Sequence, residues 1–243
     1  MCICSPVVHA VTEDQSLFEQ EAIKFAKANR NAIARRIADI AIFPGEEHPV
    51  SVFMSGSPGA GKTEASIELI KELGSVLRID PDELRLEFPG YNGANSWLLQ
   101  RAVTPIVERI HDLALKQSQS FLLDGTLSNY DVAERNIARS LDKGRLVQIL
   151  YVYQEPQFAW KFVQARERAE GRKIPPEQFV NQYFAARDVA QKLKVKFGQD
   201  IKIDVLLKNI DGSQRTYQAN VDRIDSYVPE KFTRDQVLKL VSS

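Results

Sequence analysis

Apolar positions recur at mixed three- and four-residue spacings through residues 14–42, where Leu17, Phe18, Ala22, Ile23, Phe25, Ala26, Ile33, Ile37 and Ile40 form one stripe. That period predicts an amphipathic helix, closed by Pro44-Gly45. The pattern then tightens into short apolar runs at 50–54, 76–79, 121–123 and 146–153, three of them followed at once by a polar or glycine-bearing turn, as buried parallel strands would be. Between these runs the spacing returns to the helical period over 64–70, 96–117, 130–142, 156–170 and 176–195. Residues 201–207 and 215–219, joined through Asp211-Gly212, predict a late β-hairpin, and TRDQVLKLV at 233–241 a capped final helix. Strands alternating with helices predict an α/β fold with a mainly parallel sheet flanked by helices and right-handed crossovers. In such a sheet the ligand crevice lies at the carboxyl ends of the strands.

Composition narrows the class of partner. With 32 Lys plus Arg against 32 Asp plus Glu among 243 residues, the chain is formally neutral, which disfavours bulk attraction to nucleic acid or to an anionic membrane. Cys2 and Cys4 lie too close together to staple a fold and are too few for a zinc site, so free thiols are expected. His9, His48 and His111 show no metal spacing. The first residues, MCICSP, carry no basic n-region and are broken by Pro6, unlike a signal peptide, and no apolar run is long enough to cross a bilayer. A monomer in a reducing cytoplasm is the expectation.

The chemistry enters at residues 56–63, GSPGAGKT, set between the run at 50–54 and the helical stretch at 64–70. Glycines at 56, 59 and 61 permit backbone conformations in which successive N–H groups face phosphate oxygens, and the following helix adds its dipole. Gly56, Ser57, Pro58, Gly59, Ala60, Gly61, Lys62 and Thr63 are therefore the expected nucleotide loop, with Lys62 on the β- and γ-phosphates and Thr63 a ligand of Mg²⁺. No N-K-x-D guanine-reading segment follows, and the strand at 121–123 ends in Asp124-Gly125-Thr126 rather than in the D-E of a motor ATPase. Phosphoryl transfer to an acceptor hydroxyl is thus favoured over a GTPase switch or an ATPase.

Transfer to an alcohol needs a carboxylate to take the proton and cations to hold the charge spreading over the phosphoryl oxygens. Asp80 and Asp82, just past the strand at 76–79, meet the first need, although Asp-Pro-Asp-Glu is also how a helix begins. Arg166, Arg168, Arg172 and Lys173 meet the second, either as a lid over the phosphates or as an ordinary solvated face.

Taken in order and spacing over roughly residues 50–195, these segments resemble the zeta-toxin family of P-loop kinases, bacterial enzymes that phosphorylate the 3′-hydroxyl of UDP-N-acetylglucosamine and so poison peptidoglycan synthesis. GSPGAGKT is similar to that family's Walker loop and IDPDELR to its Ile-Asp-x-Asp segment, which implies Asp82 as catalytic base beside Asp80. Val103-Thr104-Pro105 opens the helix that carries a substrate-binding glutamate in the family, and Asp112 stands at that position. FLLDGT resembles a strand ending in Glu-Gly-Thr, which implies that Thr126 touches the acceptor, with Asp124 one methylene shorter than the usual glutamate. Arg166 and Arg172 fall where the family has its two phosphate-binding arginines. The resemblance also implies ATP or GTP with Mg²⁺, a sugar-nucleotide acceptor, and a helical antitoxin in trans or an N-terminal helix acting in cis. On this reading residues 1–48 are a helical extension and 49–243 a P-loop kinase domain. A kinase of another small molecule, of a nucleoside or of a nucleic-acid end, or a nucleotide-dependent regulator, are the alternatives.

Overall fold

The computed structural model describes residues 12–208, 215–228 and 232–242. Its sheet has six strands in the order β2-β3-β1-β4-β5-β6: β1 (Val50–Ser55), β2 (Leu77–Ile79), β3 (Phe121–Leu123), β4 (Leu146–Tyr153), β5 (Ile201–Lys208) and β6 (Arg215–Gln218). The first five pair in parallel, and β6 pairs antiparallel to β5. The late hairpin expected from the sequence is therefore present as a strand pair, while its Asp211-Gly212 turn lies outside the described residues, as do Cys2, Cys4 and His9.

Seven helices surround the sheet among the described residues: α1 (Glu13–Ile37), α2 (Lys62–Leu73), α3 (Gln100–Lys116), α4 (Tyr130–Leu141), α5 (Pro156–Glu170), α6 (Pro176–Phe197) and α7 (Arg234–Ser242). Helix α1 opens on a capping box, in which Thr12 Oγ1 accepts from Gln15 N and the Gln15 side chain answers the Thr12 N–H. It ends short of the expected Pro44-Gly45. Asp39 is the reason: its side chain accepts from Ala41 N and its carbonyl from Phe43 N, so a local turn competes successfully with the next helical hydrogen bonds. The stretch expected as one helix over 96–117 is split into a single 3₁₀ turn, Ser96–Leu99, and α3.

Two layers of side chains cover the sheet. Phe53, Ile79, Phe121, Ile149, Ile203 and their neighbours form the larger core with α1, α3 and α6, while Val52, Met54, Leu122, Leu150 and Val152 pack on the α2 side. This two-sided burial explains why the strands read as continuous apolar runs. Helix α1 packs on α3 rather than on the sheet itself, through the buried small face Ala22, Ala26 and Ala34, and Phe25 meets Phe88 with ring centroids 5.4 Å apart. At the amino edge of the sheet, the buried Arg145 joins β1 and β3: its Nε donates to Ser51 Oγ at 2.7 Å and its Nη2 to Val50 O at 3.0 Å and Gln119 O at 2.5 Å. At the opposite, carboxyl edge the ends of β1, β2 and β3 lead into the glycine loop and the segments at 80–82 and 124–126.

Because Ala26 is fully buried on the packed face of α1 while Ala32 is exposed, Ala26→Leu is expected to lower unfolding stability by about 1–3 kcal/mol through overpacking. Ala32→Leu should stay within about 0.5 kcal/mol of the parent. Urea unfolding midpoints at constant m-value check both.

Candidate active site

The glycine loop leaves β1 at Ser55 and enters α2 at Lys62. Its backbone is wedged so closely into the fold that side chains are excluded: a Cβ on Gly59 would lie 2.1 Å from the Ala159 carbonyl of α5, and one on Gly56 would lie 2.4 Å from the Val152 carbonyl of β4. Gly59, at φ 72°, is also in the left-handed region that favours glycine. Lys62 Nζ donates to Gly56 O at 2.9 Å and Ser57 O at 2.7 Å, folding back over the loop. Burial lowers the Lys62 ammonium to about 8, with Asp124 and Asp82 opposing that fall and Arg166 and Arg172 adding to it. Thr63 is exposed at the first turn of α2, beside the loop.

β3 lies next to β1, so its end is joined to the loop: Gly56 N donates to Thr126 O at 3.4 Å, and Thr126 Oγ1 shares a 2.9 Å hydrogen bond with Ser128 Oγ. Asp124 Oδ2 accepts from Ser66 Oγ of α2 at 2.8 Å and from Arg78 at 2.6 Å (Nη2) and 3.2 Å (Nε). Arg78 also bonds Asp80 Oδ2 at 2.6 Å and Glu83, so one guanidinium stands among three carboxylates.

Past β2 the two readings of Asp-Pro-Asp-Glu divide between its aspartates. Asp80 does cap the turn, accepting from Asp82 N at 2.7 Å. Burial, reinforced by the Asp82 charge, raises its carboxyl to about 6 against the pull of Arg78. The Asp82 side chain caps nothing; it is ion-paired to Arg85 through Oδ1 and to Arg172 through Oδ2, and Arg166 Nη2 lies 3.9 Å from Oδ2. Burial pushes Asp82 up, but the Arg172 and Arg85 charges outweigh it and its carboxyl falls below the usual aspartate value.

Arg166 belongs to the last turns of α5 and Arg172 to the segment after Gly171, whose φ of 73° turns the chain out of the helix. That segment is seated on the loop at 90–95, where a Cβ on Gly93 would lie 1.9 Å from the Glu170 carbonyl and where Asn92 and Asn95 exchange reciprocal 3.1 Å bonds. Arg168 is exposed and stays outside the cluster. Of the four basic residues at 166–173, the structure thus brings Arg166 and Arg172 to Asp82.

Asp112 is not brought there. Helix α3 begins beside Arg85, through Gln100 Oε1 at 3.0 Å, and runs away from the carboxyl edge, so Asp112 lies about 18 Å further along the axis at 1.5 Å per residue. Its carboxylate is paired with Arg139 of α4. The expectation that Asp112 contacts an acceptor together with Asp82 is corrected on this ground. Three residues absent from the sequence reading belong to the cluster instead. Arg78 was detectable as a charge inside an otherwise apolar strand; Arg85 sits in the quoted IDPDELR; Lys208, ending β5, crosses Gly61 and pairs with Glu64 at 3.7 Å, which only the strand order makes visible.

The zeta toxin family matches residues 34–222 of this chain. The chain belongs to the zeta toxin family. That match begins within α1 and runs past β6, beyond the 50–195 span read from motifs. Among solved structures, one from the PezAT chromosomal toxin–antitoxin system of Streptococcus pneumoniae is similar at 17% identity, with a TM-score of 0.60 over 95% of this chain and 94% of that one. Complexes of AvrRxo1-ORF1 with AvrRxo1-ORF2 are similar at 13% identity: one with sulphate ions at a TM-score of 0.59, covering 88% of this chain and 72% of the other, and one with ATP at 0.58, covering 89% and 72%. At these identities the likeness is one of fold, the P-loop kinase fold. No curated protein matches the chain in sequence. In this zeta toxin family member the glycine loop, the ends of β2 and β3 and the arginines after β4 all meet at the carboxyl edge of one sheet.

Asp80 yields a pH prediction. A carboxyl raised to about 6 favours the fold only while protonated: that contribution is complete below the unfolded value of 3.8 and is lost as pH rises through about 6. Asp80→Asn, which has no such ionisation, is therefore expected to gain stability relative to the parent between pH 4 and pH 7, by up to about 3 kcal/mol. Denaturant unfolding of both proteins across that range checks it.

Proposed function

We propose that the chain is a kinase that transfers the γ-phosphate of ATP, or GTP, to the 3′-hydroxyl of UDP-N-acetylglucosamine or a closely related sugar nucleotide, acting in the cytoplasm as a growth-inhibiting toxin. The observation that carries this reading is the meeting of Asp82 with Arg166 and Arg172 at the mouth of the glycine loop. A carboxylate kept ionised by cations, within reach of the cations that can grip a transferring phosphoryl group, suits proton removal from an alcohol. Zeta toxin membership supports the sugar-nucleotide acceptor, and the ATP complex of the AvrRxo1 relative agrees with ATP as donor.

In this reading the N–H groups of residues 56–63 cradle the phosphates, Lys62 turns from the Gly56 and Ser57 carbonyls to the β- and γ-oxygens, and Arg166 and Arg172 stabilise the equatorial charge. Asp82 takes the acceptor's proton, while Thr126 and Asp80 line the acceptor side. Among the described residues no three His, Cys, Asp or Glu side chains are grouped to hold a metal. The Thr63 hydroxyl is the protein group that would hold a Mg²⁺ ion here, and the ion would supply neutralisation of phosphate charge. Because Asp112 is engaged by Arg139, acceptor recognition falls to the strand ends, with the shorter Asp124 held back by Arg78 and Ser66. A protein antitoxin is the proposed partner, by likeness to the toxin–antitoxin origin of the PezAT structure.

Incubation with labelled ATP and a panel containing UDP-N-acetylglucosamine, nucleosides and short RNA identifies the acceptor from the labelled product. Label on the sugar nucleotide is expected; label on RNA or on a nucleoside would replace this reading. Asp82→Asn should retain nucleotide binding and lose about 10²- to 10⁴-fold in turnover. Lys62 supplies an independent check: an ammonium near 8 becomes fully protonated when phosphates surround it. Calorimetry of Mg²⁺–AMP-PNP binding at pH 8 in buffers of different ionisation enthalpy should show proton uptake, absent in Lys62→Met.

A further inference from the structure

The two oxygens of Asp82 are not in equivalent surroundings. Oδ1 is bonded by Arg85, whereas both cations from the α5 side, Arg172 and the more distant Arg166, approach Oδ2. The holders differ as much as the atoms. Arg85 shares a 3₁₀ turn with Asp82, its N–H donating to Asp82 O at 3.2 Å; it is buried between the core residues Leu84 and Phe88 in sequence, and its Nη2 is anchored on Gln100 at 3.0 Å. Burial and the Gln100 contact thus hold its guanidinium beside Asp82. Arg172 sits on the connection between α5 and α6, just past a left-handed glycine.

We infer that Arg85 is a positioning residue that fixes Asp82 by Oδ1, and that Oδ2, capped by Arg172, is the oxygen that receives the acceptor's proton once Arg172 moves to the phosphoryl group. This deepens the kinase reading and rests on it. A phosphoryl group in transfer carries more charge than one carboxylate and offers a guanidinium a two-pronged contact, so it competes well for Arg172. The step balances within the two substrates: the acceptor oxygen forms its bond to the γ-phosphorus, the bond from that phosphorus to the β,γ-bridging oxygen breaks with its electron pair leaving on the nucleoside diphosphate, and the proton passes to Oδ2 and then to solvent. Meanwhile Oδ1 stays bonded to Arg85, so the base does not rotate as its second partner departs. The charged groups facing Asp82 are Arg85 in its own turn, Arg166 and Arg172 from α5 and beyond, Asp80 at the end of β2, and Lys62 of α2.

The test uses the full chain with ¹³C-carboxyl aspartate, the Asp82 resonance assigned by its absence in Asp82→Asn. In Arg85→Met the Asp82 titration should shift upward, the acid limb of kcat should shift with it, and kcat should fall roughly 10²-fold through loss of orientation, with KM for ATP little changed. Arg85→Lys, which keeps the charge without the fork that serves Oδ1 and Gln100 together, should recover part of each, and it carries the same measurements if Arg85→Met does not fold. Adding Mg²⁺–AMP-PNP to the parent should move the Asp82 titration upward as Arg172 departs. A loss of kcat in the Arg85 variants without any movement of the Asp82 titration or of the acid limb would overturn the inference. Full turnover in Asp82→Asn would instead overturn the base assignment, while the coupling of Arg85 to the Asp82 resonance would still stand.

Discussion

Three aspartates, Asp80, Asp82 and Asp124, converge on the carboxyl edge of the sheet, and they can do so only because guanidinium groups stand between them. Arg78 separates Asp80 from Asp124, and Arg85 with Arg172 neutralises Asp82. Burial, and after it the neighbouring carboxylate charge, still raises the Asp80 carboxyl to about 6 against the pull of Arg78. Asp82 goes the other way because it has more cations than carboxylates around it. The same edge therefore holds one carboxyl poised to protonate near neutrality and one held ionised, and the difference comes from the number of arginines each one meets.

That balance depends on strand order. With β3 beside β1, the Asp124 turn abuts the glycine loop and Ser66 of α2; with β2 beside β3, Arg78 reaches across to Asp124. With β4 on the other flank of β1, the backbones of β4 and α5 press against Gly56 and Gly59 and direct α5 toward Asp82. The glycines are thus needed twice, for the conformation of a phosphate loop and for the close seating of α5 that delivers Arg166 and Arg172. The opposite edge follows another logic: Arg145 there bonds backbone carbonyls and Ser51 through Nε and Nη2 and lies over the face of Phe121, so it braces the sheet.

Helix α1 shows how far a local pattern reaches. Its apolar stripe was legible, since it depends on residues within a few positions of one another. Its end was misplaced because Pro44-Gly45 is the stronger general signal, whereas the side chain of Asp39 stops the helix first. The stripe likewise said that α1 must pack on something, without saying that its small residues would meet α3. The Asp-Pro-Asp-Glu segment behaved in the same way: capping and chemistry were both legible, and the tertiary fold assigned the cap to Asp80 and the arginines to Asp82.

By itself the sequence determined the alternation of strands and helices, the mainly parallel sheet, the phosphate-type loop at 56–63 and the family resemblance, because each is written in residues adjacent along the chain or repeated at a short period. Among the basic residues at 166–173 it was the family resemblance that implied Arg166 and Arg172. Only the tertiary structure decided that Asp112 pairs with Arg139 rather than joining Asp82, that Arg78 and Arg85 join the site, and which oxygen of Asp82 each arginine takes. Those outcomes turn on the direction of α3 and the order of strands, which bring together groups far apart along the chain and lie beyond any local period.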